Sequence, residues 1–477
     1  MAGLQPKRLI ALGRTRAQGV ARGAAAKVFP THWSFLLGEI ALVSFVVLVV
    51  TGTYLAFFYD ASGDTVTYAG SYAPLQGVPM PAAYRSVLDI SFDVPAGLLV
   101  RQVHHWASLV FIGALVAHAL RVFFSGAFRK PRRLNWTIGV TMAAAATANG
   151  FFGLGLPGDL LGGTGVRIAY GFATSVPFIG PGLGDVVFGG EFPDPALYHR
   201  MWQLHVLVLP AVLAVLLAGH LALVAAQSHT QHAMAHRARH RVAGSRGWPG
   251  YALKTAALSA VVVATLVAMG ALLQIAPIWL YGPFNAADAT VPAQPDWYLA
   301  WVEGSLRIAP SLDLRLFGRE IPGSFLSGVV LPSAVFTVLY TWPYLEAWLT
   351  GDHEVHHEAE RMRDRPVRSA RGVGACAFLA VLVAAAGHDV QALLLDVPLQ
   401  QVTRAYRVLV LVVPPVAAAL TWKLCRDLAA AGDGAADGVD GPVAVGTGAG
   451  AEADEVVGAA AVDEADEVRV AARGERR

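Results

Sequence analysis

The chain of 477 residues is 55% hydrophobic and 15% charged. Its mean hydropathy of +0.50 excludes an ordinary soluble protein and marks an integral membrane protein. A formal net charge of +2 offers no basic footprint for nucleic acid, and two cysteines, Cys376 and Cys425, exclude a Cys-ligated zinc or iron–sulfur centre and a disulfide framework.

Apolar windows close to the roughly 20 residues that cross a bilayer lie at 33–59, 104–124, 136–156, 202–226, 254–280, 324–349, 372–390 and 405–425, which predicts eight transmembrane helices. Positive residues divide between alternate loops. Lys7, Arg8, Arg14, Arg16, Arg22 and Lys27 precede the first helix, and Arg129, Lys130, Arg132 and Arg133 follow the second. Arg237, Arg239, Arg241 and Arg246 follow the fourth, and Arg361, Arg363, Arg365, Arg368 and Arg371 follow the sixth. The intervening loops carry few, so the positive-inside rule places both termini in the cytoplasm of a multi-pass protein in the cell membrane. The start lacks the order of a cleavable signal peptide, so the first helix is expected to direct insertion itself. Residues 426–477, rich in Ala, Gly and Val with scattered acids, are expected to form a disordered cytoplasmic tail.

Ionisable groups inside membrane helices are expensive and therefore point to function. The second helix carries His104, His105 and His118. At about 100° per residue, the interval from His104 to His118 returns to within about 40° of one face, whereas His105 falls nearly opposite His118. The fourth helix repeats the pattern with His205 and His220, again within about 60° of a common face. Two such helices side by side offer imidazole pairs at two depths, which suits two six-coordinate haems with imidazole above and below each iron. Gly38 and Gly52 in the first helix, and Gly139 and Gly153 in the third, share the fourteen-residue interval and provide flat helix surface for a porphyrin edge.

These residues resemble the cytochrome b family, the haem and quinone subunit of quinol:cytochrome c oxidoreductases. The resemblance rests on Arg101 with His104, His118 with Arg121, Trp136 with Gly139, Arg200 five residues before His205, Pro177–Gly180 and the Pro295–Asp296–Trp297–Tyr298 motif. The segments LPGDLLGGTG and RDRPVRSARGV are similar to the actinobacterial branch, whose pool quinone is menaquinone. The resemblance implies an all-α fold: cytoplasmic residues 1–31, a four-helix di-haem bundle over 32–226, and a quinol-site half with four further helices over 227–425. It also implies two haem b groups, with His104 and His205 on the outer iron and His118 and His220 on the inner, and Arg101, Arg121 and Arg200 at the propionates. Asp296, standing where the family commonly has Glu, and Tyr298 are the implied catalytic residues of quinol oxidation. Pro295 and Trp297 are implied quinone contacts, with Gly158 and Asp159 in the same outer pocket and His229 and Lys254 at an inner quinone site. The implied partners are a Rieske iron–sulfur protein, a c-type cytochrome subunit, a second copy of the chain and a terminal oxidase supercomplex, all within the lipid membrane.

Two other patterns compete for metal. His353-Glu354-Val355-His356-His357 fits H-E-x-x-H, so a membrane zinc protease using His353, Glu354 and His357 is the rival expectation. His229, His232, His236 and His240 follow helical spacing and are read as a solvated cytoplasmic helix. His105 is assigned a local role.

Overall fold

The computed structural model describes residues 23–437 apart from 24–25, 31, 232–243, 289–293, 311–313 and 317–318. Among the described residues eight helices are long and apolar enough to cross a membrane. In lipid the helix is the natural solution, because it satisfies every backbone N–H and C=O within the segment. In chain order the helices that matter here are α1 (Leu36–Ala56), α2 (Ala82–Phe92), α3 (Gly97–Phe124), α4 (Arg133–Gly155), α5 (Leu160–Thr174), α6 (Gly180–Phe188) and α7 (Ala196–Gln227). They continue with α8 (Ala252–Leu272), α9 (Trp297–Ile308), α10 (Gly323–Thr350), α11 (Pro366–Ala386), α12 (His388–Leu395) and α13 (Leu399–Asp437).

Helix α1 packs along α3, and α4 along α7, while α3 also meets α4; these four form the bundle. Its centre is filled by Ala41, Phe111, Ile112, Met142, Ala146 and Leu213 together with Tyr298, which enters from α9. Outside the bundle, α8 packs on α1 and α3, and α9 on α11. The all-α expectation of eight spans therefore holds, with adjusted ends: the second, fourth, fifth, seventh and eighth begin earlier, at Gly97, Ala196, Gly247, Pro366 and Leu399, and three also end elsewhere. The fifth span stops at Leu272, where Leu273 is extended, and not at 280. The seventh breaks at Gly387, and the eighth continues to Asp437, past the boundary at 426 expected for the tail. Residues 438–477 lie outside the described residues.

Alternate loops gather at opposite ends of the bundle, as antiparallel neighbours require. At one end a short strand, β1 (Val28–Pro30), pairs antiparallel with Gly244–Arg246, and Gln231 bridges to Glu358. There Arg368, only 5% exposed, is held by Glu346 and Glu360, and Arg129 reaches Glu360 at 2.8 Å. The opposite end is covered by the short helices. Tyr68, Tyr84, Leu88 and Ile278 form one apolar cluster, and Ala83, Val166, Phe188, Leu197 and Met201 another. Helix α5 begins at this end because the Asp159 carboxylate accepts from the Leu161 and Gly162 N–H groups, which α5 itself leaves unpaired.

Candidate functional site

The four helix-borne histidines meet as two pairs. The rings of His104 and His205 have centroids 6.1 Å apart at 77°, and those of His118 and His220 are 6.4 Å apart at 72°. The first pair shows how tautomers are set. Thr51 donates its hydroxyl to Val47 O at 2.7 Å, so the 2.9 Å contact from Thr51 to His104 Nδ1 is one in which the imidazole donates. His205 Nδ1 likewise donates to Asn149 O at 2.8 Å. Each ring thus keeps Nε2 as a bare acceptor, and two such lone pairs cannot bond each other. A metal between them resolves this. With metal–nitrogen bonds of about 2 Å and a ring radius of roughly 1.1 Å, centroids on opposite sides of an iron stand about 6 Å apart, the spacing seen at both levels.

The expected glycines face these rings. A Cβ placed on Gly153 would lie 2.4 Å from the His205 ring, on Gly52 3.0 Å from His104, and on Gly38 3.4 Å from His118. Gly139 is looser, 4.0 Å from His220. Helix α7 also explains why its two histidines are one residue farther apart in sequence than those of α3. Gln203–Val208 forms a π-helical turn containing His205, and this wider turn absorbs the additional residue so that His205 and His220 return to one face. The residues present therefore fit bis-histidine haem at two levels.

At the His104–His205 level one cavity of about 280 Å³ is lined by both histidines, Gly52, Gly153 and Arg101, and also by His105, Asp159, Asp296 and Tyr298. Asp296 stands at the start of α9 without capping it; its carboxylate instead lies 3.0 Å from His105 Nε2. His105 is thus part of the site, contrary to the local role expected for it. Helical phase correctly turned it away from His104, but only the fold brings α9 to the face it occupies. Tyr298 is 4% exposed and presses its hydroxyl against Gly150. Burial, and then the charge and hydrogen bond of Asp296, raise its phenol well above the ordinary value, so it stays a neutral hydroxyl. Trp297 rests its ring edge near Gly113 on α3. Pro295 is half-buried in the segment leading into α9, next to Gln294, which donates to Asp389 at 3.0 Å. Burial pushes the Asp159 carboxyl up to about 6, against the pull of its two backbone N–H bonds and of Arg101.

The arginines separate. Arg101 is in the cavity wall, donating to Ala276 O at 3.1 Å with its Nε buried and unpartnered, so it is free to meet a propionate. Arg121 sits over the Phe35 ring, its guanidinium carbon 3.8 Å from the ring centre. Arg200 is exposed and donates to Val186 O at 3.2 Å; its guanidinium does not line the cavity. His229 is not on a solvated helix: it sits in an irregular segment, edge-on to Phe29 at 5.7 Å and Phe35 at 6.2 Å. Burial, and then Lys27, Arg121 and Arg132, depress it to about 4. His232, His236 and His240 lie outside the described residues. Lys254 turns to Ser245 Oγ at 3.0 Å.

The zinc-protease expectation is overturned. Residues 351–359 are not helical, so His353 and His357 are not brought one helical turn apart. His356 bonds Asp352 at 2.8 Å, and among the described residues no group of three or more His, Cys, Asp or Glu side chains is placed to hold a metal ion.

Residues 109–283 match the family model described as cytochrome b(N-terminal)/b6/petB. The chain is 46% identical over 403 residues to the cytochrome bc1 complex cytochrome b subunit of Mycobacterium tuberculosis, covering 84% of this chain and 73% of that one. The chain belongs to the cytochrome b subunit family of the cytochrome bc1 complex. The corresponding subunit of Streptomyces coelicolor is 39% identical over 417 residues, covering 87% of this chain and 76% of that relative. A solved structure titled hyperthermophilic respiratory Complex III shares the fold of this cytochrome b, with a TM-score of 0.61 at 19% identity over 86% of this chain and 98% of that one.

Proposed function

We propose that this cytochrome b is the haem and quinone subunit of a respiratory quinol:cytochrome c oxidoreductase, oxidising menaquinol at the end of the bundle marked by Asp296. The observation that carries the reading is the single cavity joining the His104–His205 pair to His105, Asp296 and Tyr298, because a quinol there lies beside both a proton acceptor and the first redox level. Two b haems, when bound, supply one-electron carriage from that outer level to His118 and His220.

The chain's own residues handle protons and geometry. Asp296, held against His105, accepts a hydroxyl proton from the quinol, and the imidazole shares the charge that results. Tyr298, kept neutral, donates a hydrogen bond and fixes the ring. Thr51 and Asn149 hold the His104 and His205 imidazoles in the tautomer whose Nε2 would bind the haem iron. Phe111, Ile112, Met142 and Leu213 exclude water between the two levels, so protons and electrons part company. With Asp296 outside and both termini in the cytoplasm, an orientation the loop charges support, the separation of charge contributes to the proton-motive force. A Rieske protein and a c-type cytochrome accept the other electron, within a dimeric complex that docks a terminal oxidase. Pyridine haemochrome quantification is expected to give about two haems per chain, and about one in His104→Ala. A preparation from the native membrane without haem refutes the reading.

A further inference from the structure

No carboxylate follows α7 in the sequence at a position suited to an inner quinone site, and neither Lys254, turned to Ser245, nor His229, neutral and wedged between two phenyl rings, replaces one. The fold supplies a carboxylate from another helix. Glu39 is half-buried one residue after Gly38, the glycine that faces the His118 ring. Its two oxygens are held from α8 and the turn before it: Oε1 accepts from the Tyr251 hydroxyl, and Oε2 from Thr255 Oγ1 at 3.0 Å. Tyr251 in turn stacks on Phe29, with centroids 4.3 Å apart and planes within 10°. Phe29 meets His229, His229 meets Phe35, and Arg121 covers Phe35. An acid with a hydroxyl on each oxygen therefore sits between the inner histidine level and an aromatic surface of the kind on which a flat ring stacks.

We propose that Glu39 is the proton donor of the inner quinone site, with Tyr251 and Thr255 as its positioning residues. The proposal rests on the function above. A quinone reduced there takes two electrons from the His118–His220 level and two protons. One proton leaves the Glu39 carboxyl as a new O–H bond forms on one quinone oxygen, the carboxylate is reprotonated from solvent on the cytoplasmic side, and the second quinone oxygen takes its proton from that solvent. A merely structural Glu39, tying α1 to α8, would keep its role as an amide, since glutamine accepts from one hydroxyl through its carbonyl and donates to the other through its NH2.

The test uses the complete complex purified with its partners, the outer site blocked and inner-haem oxidation by an added short-chain naphthoquinone followed by stopped flow. Glu39→Gln is expected to keep two haems per chain yet slow that oxidation about 100-fold, and Glu39→Gln with Thr255→Asp to restore much of it. Inner-haem oxidation at the wild-type rate in Glu39→Gln overturns the proposal. A second readout is spectroscopic and does not rest on a rate. Redox-induced infrared difference spectra of wild-type complex labelled with carbon-13 glutamate should show a protonated carboxyl band that disappears in Glu39→Gln, and absence of any glutamate carboxyl band overturns the proposal. Absence of haem from the wild type would instead sink the broader function.

Discussion

The four glycines opposite the histidines offer a graded perturbation, because the same added methyl meets each ring at a different distance. Ordinary contact begins near 3.4 Å, and a Cβ on Gly153 would lie 2.4 Å from His205. The ring must therefore retreat by about 1 Å, while its Nδ1 is tethered to Asn149 O at 2.8 Å. Against a metal–nitrogen bond of about 2 Å, such a displacement removes the ligand, and crowding of this kind costs about 1–3 kcal/mol on its own. Gly52→Ala, at 3.0 Å from His104, requires only a few tenths of an ångström; Gly38→Ala, at 3.4 Å, and Gly139→Ala, at 4.0 Å, require none. The expected order of haem loss is Gly153 first, then Gly52, with Gly38 and Gly139 close to wild type. Reduced-minus-oxidised spectra with pyridine haemochrome counts give the readout, about one haem per chain in Gly153→Ala and about two in Gly139→Ala. Two haems with unchanged midpoint potentials in Gly153→Ala, or equal loss in all four variants, would refute the reasoning.

Asp296→Asn and His105→Ala should each lower quinol oxidation about 100-fold or more while leaving two haems per chain, measured as cytochrome c reduction by the complex; unchanged rates would remove the pair from the mechanism. Asp159, raised by burial to about 6, binds its proton more tightly folded than unfolded. It therefore favours the fold below about pH 4, and that contribution, on the order of 3 kcal/mol, is lost as pH rises to about 6. Thermal midpoints of the wild type should fall across that window, and those of Asp159→Asn, which still caps α5, should show less of the fall. Arg368→Ala leaves Glu346 buried without its partner and should cost about 3–5 kcal/mol, whereas the double variant Arg368→Met with Glu346→Leu should recover most of it; a single variant as stable as wild type would show the pair to be dispensable.

Periodicity alone determined the membrane class, the eight spans and the shared face of His104 and His118 on α3, since lipid enforces helices and a helix fixes which residues share a side. The glycine ladder was legible for the same reason. Other assignments needed the fold. The interval from His205 to His220 is one residue longer than that from His104 to His118, and the π-helical turn at Gln203–Val208 that accommodates it is a hydrogen-bond shift that sequence spacing does not show. His105 read as a bystander because its partner Asp296 is 191 residues away, brought to it only when α9 docks on the bundle. Glu39 was silent because a single acid in an apolar window carries no pattern; its two hydroxyl partners come from residues 251 and 255. The H-E-x-x-H motif failed in the opposite sense, since its chemistry requires a helix and Gly351, at φ +67°, ends α10 just before it. Sequence fixes what each helix presents, and packing between helices distant in the chain decides what each presented group meets.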